Sequence, residues 1–134
     1  MFKSTLLALV ALSLAACGGG SDSNDYQQAI DQASAKRSEA IALAQASPCD
    51  SAQQCASLAM VLTQGHCSAE DYRPYSLVSP TADAASAAAA DERTLAERAI
   101  ALAPPPVTAC SMLVVLPPHV GCVAGTCQAV APAN

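Results

Sequence analysis

The chain has 134 residues, seven cysteines, no tryptophan, one phenylalanine and a formal net charge of −5, from six basic and eleven acidic side chains. That length suits one domain, and an acidic balance argues against nucleic acid or anionic lipid headgroups as partners. The mean hydropathy is positive only because of an apolar leader and abundant alanine, so a large core of bulky side chains is excluded.

The leader has Lys3 as its positive end, an apolar stretch Leu6–Leu12, and then Ser13-Leu14-Ala15-Ala16-Cys17. The stretch is too short to cross a hydrocarbon layer of about 30 Å, which needs about 20 residues. Ser13, Ala15 and Ala16 could also supply a plain secretory cleavage site. A cysteine at the junction, with a leucine three residues before it, resembles the lipobox of bacterial lipoproteins. That resemblance implies diacylglycerol transfer to the Cys17 thiol, cleavage before it, removal of residues 1–16, and acylation of the new amino group. Each buried CH₂ of a palmitate-type chain adds about 0.8 kcal/mol, and two or three chains make a stable anchor. In lipoproteins of this type an aspartate after the acylated cysteine favours inner-membrane retention. Gly18 stands there, so the resemblance implies a periplasm-facing anchor in the outer membrane of a Gram-negative envelope.

Setting Cys17 aside leaves Cys49, Cys55, Cys67, Cys110, Cys122 and Cys127. An even set in an exported domain predicts three disulfides, without fixing which of the 15 pairings forms. The competing reading, a metal site at His66-Cys67 or at Cys122 and Cys127, lacks knuckle spacing, and His119 has no ligand at helical distance. No metal or other cofactor is therefore expected. There is no C-x-x-C redox motif either.

Residues 17–25 read as the anchor and a flexible Gly/Ser tether, and residues 26–134 as a single small disulfide-rich domain. Asp25 and Gln28 resemble a capping box, predicting a helix over 26–46 that ends at Ser47-Pro48. A helical turn near Cys49 and a strand up to Thr63 follow. From His66 to Pro80 the chain lacks periodicity and reads as a loop pinned at Cys67, with Tyr72, Tyr75 and Leu77 as a small apolar cluster or a contact surface.

Residues 81–103 predict a second helix capped by Thr81 or Ser79. Asp83 complements its dipole, and Leu95, Ala99 and Leu102 form its apolar face. Asp91, Glu92, Arg93, Glu97 and Arg98 fall mostly off that face and read as solvated charges. Pro104-Pro105-Pro106 stops the helix. Met112–Leu116 predicts a central strand. Val120–Val123 and Thr126–Val130 predict a hairpin around Ala124-Gly125. In that register Cys122 faces Cys127, within reach of a cross-strand disulfide. The expected class is α+β, with one or two helices packed on a short antiparallel sheet.

Catalytic chemistry is hard to assemble. Ser68, His66 and Glu70 or Asp71 hold the ingredients of a triad, and Glu70, Asp71, Glu92 and Glu97 those of a carboxylate pair, but neither set has a defining spacing. The residues point away from an enzyme. They favour a lipid-anchored structural or interaction protein of the envelope, whose partner is another envelope protein or a wall component. The alternative is a periplasmic inhibitor of a lysozyme-like or proteolytic enzyme, presenting Ser68–Ser79 or the Cys110–Cys127 region as a rigid loop.

Overall fold

Alanine sets how closely the two long helices approach. The computed structural model describes residues 21–105, 109–110 and 114–132. Helix α1 spans Ser21–Leu43 and helix α2 spans Ala82–Leu102. Ala40 clusters with Ala82, Ala85, Ala88 and Ala89, while Ala33 meets Ala96, so the helices run antiparallel along a seam of methyl groups. The buried stripe of α2 is Ala82, Ala85, Ala88, Ala89, Glu92, Ala96 and Ala99. Leu95 and Leu102, expected on the apolar face, are only partly buried. Small side chains let the backbones approach, and the stripe that permits this is the one that is buried.

Asp25 and Gln28 lie inside α1, so the capping box is not formed, and Ser21–Asp25 of the expected tether is helical. Acidic residues near a helix start complement its dipole, which favours extension into Ser21–Asp25. At the other end the helix stops at Leu43 rather than at residue 46. The Gln45 and Ala46 carbonyls are drawn out of the helix by the amides of Ser76 (2.8 Å) and Cys127 (2.7 Å). The Ser47–Pro48 peptide beyond them is cis. Thr81 occupies the N-cap of α2, yet its side chain does not cap. Its hydroxyl instead donates to the Leu43 carbonyl at 2.7 Å, tying the end of one helix to the start of the other.

A short 3₁₀ turn, Ala52–Gln54, leads into β1 at Cys55–Gln64, in line with the expected helical turn followed by a strand. The segment read as a loop forms β2, Cys67–Ser76, paired antiparallel with β1 from Gln64↔Cys67 to Cys55↔Ser76. Gly65, at φ 61°, supplies the left-handed residue that the tight turn needs. Pro74 hid the strand from its sequence. The Val61 N–H points away from β2, toward Glu92. Pro74 is four residues from Glu70, the partner of Val61, and so shares that outward orientation. Its missing N–H costs the ladder nothing.

The second sheet is the hairpin of β3, Val120–Val123, and β4, Thr126–Ala129, in the expected register. Ala124 (φ 50°) and Gly125 (φ 77°) give the paired positive φ values of a tight hairpin turn. The two hairpins do not share a sheet. Val114–Leu116, expected in a central strand, is unpaired, with Val114 78% and Leu116 75% exposed. The place beside β1 that such a strand would fill is taken by α2, whose Glu92 receives the outward Val61 amide. Met112 and Leu113 lie outside the described residues.

Leu58, Met60 and Tyr75 supply the large side chains of the main core, where they meet the alanine seam. Tyr75 also bonds to Ser86 through its hydroxyl at 3.1 Å. Of the expected Tyr72, Tyr75 and Leu77 cluster, Tyr72 is half-buried and Leu77 is exposed. Three disulfides complete the fold: Cys49–Cys122, Cys55–Cys127 and Cys67–Cys110. The protein is thus an α+β domain with two helices packed on small antiparallel hairpins and stapled by disulfides.

Candidate functional site

The pairing of the six cysteines decides what they can do. Cys122 and Cys127 face each other as expected, but they do not bond to each other. The Cys49 amide donates to the Gly125 carbonyl at 3.2 Å and the Cys127 amide to that of Ala46. These contacts lay the Ala46–Cys55 stretch across the hairpin, and each hairpin cysteine takes a partner from it. The Cys49, Cys55 and Cys127 sulfurs lie within 4.8 Å of one another, all buried. That is metal-site spacing, but the sulfurs are committed to disulfides and offer no thiolate. Together with Val120 they form a second, sulfur-rich core.

A concavity of about 410 Å³ lies where the tip of β1–β2 meets the second half of α2. His66, Ser68 and Glu70 line it from the hairpin, Arg93 and Glu97 from α2, and Val115 from the segment after Cys110. Cys67–Cys110 closes the same corner. Arg93 donates through both terminal nitrogens to Glu70, each at 2.9 Å, in a two-pronged fork. The fork holds the Glu70 carboxyl below the usual carboxylate range, and Arg93 is held above its own ordinary value by the same contact. Asp71, one residue along and on the opposite side of the strand, pairs with Arg37 of α1.

Between these two ion pairs sits Glu92, 1% exposed, with both carboxylate oxygens accepting from the Val61 amide at 3.2 and 3.1 Å. Burial pushes its carboxyl above the usual range, while the Val61 hydrogen bond and the nearby Arg37 and Arg93 pull the other way. This corrects the reading of Glu92 as a solvated charge. It stands in register with Ala85, Ala88, Ala96 and Ala99, and that spacing was the signal that could have found it. Arg37 occupies the matching place on α1 between Ala33 and Ala40. Among the described residues its buried Nη1 has no hydrogen-bond partner, and neither has His66 Nε2.

Of the triad ingredients, His66, Ser68 and Glu70 share the concavity while Asp71 does not, and the three form no hydrogen-bonded chain. Among the described residues no hydrogen bond joins His66 to Ser68, and the Glu70 oxygens are engaged by Arg93. Of the four carboxylates, Glu70 and Asp71 are ion-paired, Glu92 is held on the backbone, and Glu97 remains at the exposed rim. His119 is exposed on the strand of chain before β3, and its carbonyl accepts from Val130 at 2.8 Å. Cys17 lies outside the described residues. No family model, curated protein or solved structure matches the chain.

Proposed function

We infer that the chain is a lipid-anchored envelope protein with a structural or interaction role, held through Cys17 on the periplasm-facing side of the outer membrane. The observation that carries this is cysteine parity. All six cysteines beyond the leader are used up in pairs, leaving one, at the end of a short apolar segment, where acylation would consume it. Disulfides belong to an oxidising compartment, and an acidic, stapled domain next to a lipid anchor suits binding to another envelope protein or a wall component. Intact mass of the membrane-extracted protein tests the reading. The expected mass shows loss of residues 1–16, acyl additions, and about two hydrogens gained per disulfide on reduction. A full-length mass without acyl groups would overturn it. Outer-membrane sorting is tested by fractionating cells that express the protein or Gly18→Asp, with only the variant expected in the inner membrane.

The inhibitor reading keeps one specific support, a hairpin of two ten-residue strands with a tip fastened by Cys67–Cys110. Such a hairpin would lose little entropy on entering a cleft. Loss of a purified lysozyme-like or proteolytic activity on adding the protein would favour this reading over a purely structural role.

A further inference from the structure

Among the described residues the most exposed large apolar side chains are Val114 and Leu116, with Leu77 and Val78 about half-exposed at the other end of the molecule. Val114 and Leu116, 78% and 75% exposed, flank the 42% exposed Val115 in a run that ends at Pro117-Pro118. Val114 and Val115 line one concavity with Glu97 and Ile100, near the end of α2. The residues that follow, Ala101–Pro105, share a concavity with Ser23 and Tyr26 at the start of α1. The apolar run and the first turns of α1 are therefore at one end of the molecule. Only Gly18-Gly19-Gly20 separates Ser21 from Cys17, a reach of about 14 Å at full extension.

We propose that Val114–Leu116 is a second contact with the bilayer, entering the interface of zwitterionic lipid beside the acyl anchor. This rests on the anchored reading above. An anchor of that reach holds this end against the headgroups. There, aliphatic side chains gain by entering the acyl boundary to a depth of about 5–10 Å. Tyr26, half-buried at the same end, is a residue type that favours the interface. Charge selects the lipid: without Lys3 of the leader the net charge is −6, and at this end Asp25 and Glu97 outnumber the exposed Arg98, so anionic headgroups gain no net attraction. The contact would fix the orientation of the domain, directing the Leu43–Thr81 end outward at a distance set by α1, whose 23 residues span about 35 Å.

The absence of tryptophan makes the test clean. Val114→Trp places a single fluorophore on the exposed run, and Leu77→Trp places one at the opposite end, at a site already 48% exposed. The acylated proteins are reconstituted in phosphatidylcholine–phosphatidylethanolamine vesicles with brominated acyl chains, and acylation is verified by mass. The expected result is quenching at least about threefold stronger at position 114 than at position 77, since contact depth falls far short of the length of α1. Equal weak quenching at both positions in acylated protein overturns the contact and leaves the anchor standing. A blue-shifted but unquenched Trp at position 114 assigns the run to a second copy or a protein partner and likewise overturns it. A mass without acyl groups overturns both readings.

Discussion

At Glu92 a carboxylate stands in a stripe of alanines and closes the outer edge of β1. Replacing it with alanine leaves the buried Val61 amide without an acceptor, at an expected cost of about 1–3 kcal/mol. Glu92→Gln keeps an acceptor and removes the charge. Because burial raises the Glu92 carboxyl, the folded state holds a proton that the unfolded chain has released above about pH 4.3. Its contribution to stability therefore falls as pH rises from there through the raised value. Glu92→Gln should gain on the parent protein as pH is raised through this window and lose that advantage below it. Glu70 has the opposite sign. Arg93 depresses it, so its contribution is present above about pH 4.3 and is lost as pH falls through the depressed value. Glu70→Gln should cost about 0.2–1 kcal/mol at neutral pH, since the pair is partly exposed, and nothing in strong acid. Urea unfolding of the variants between pH 3 and pH 8 checks both. Parallel curves for Glu92→Gln and the parent would contradict the burial argument.

At the scale of elements, the α1–α2 seam works because each facing position is nearly as small as a side chain can be. Ala96 is fully buried against Ala33 and Val61, and Ala96→Leu forces the helices apart at an expected cost of about 1–3 kcal/mol. Ala90, exposed on the same helix, is the control, and Ala90→Leu should change the urea midpoint little. Both helices, the strand after Cys55 and the β3–β4 register were legible in the sequence, because helix propensity, terminal prolines and Ala124-Gly125 are local signals. The seam was harder to read, since Leu95 and Leu102 outweigh alanine on any hydrophobicity count while geometry rewards the smaller residue. β2 was hidden by Pro74, whose outward orientation depends on a register known only after pairing. Val114–Leu116 showed the converse failure: strong β propensity without a partner strand produces no strand. The cysteine pairing also rests on long-range placement, which residue spacing does not encode, whereas the burial of Glu92 was legible in its register with the alanines of α2.

For the whole molecule, the two hairpins differ in what holds them. β1–β2 packs Leu58, Met60 and Tyr75 into the alanine seam, a core that contains no cysteine. β3–β4 has four-residue strands, too short to be stable alone. It is joined to the rest by Cys49–Cys122, Cys55–Cys127, the two backbone hydrogen bonds around Ala46–Cys49, and contacts with β1, β2 and the 3₁₀ turn that centre on the cysteine cluster. Either disulfide alone would close a loop of more than seventy residues, a constraint of about 4 kcal/mol in the chain-entropy model. Once one has formed, only the short segments 49–55 and 122–127 separate the other pair, so the second adds less. Losing both should release the hairpin before the helices melt. Native-state hydrogen exchange on protein reduced in mild buffer tests this. Amides of Val120–Ala129 should exchange at close to unfolded rates, while those of Val61, Ala89 and Ala96 keep most of their protection. Simultaneous loss of protection at all these sites would mean that the disulfides hold up the helical core as well, and that its alanine seam is too weak to stand without them.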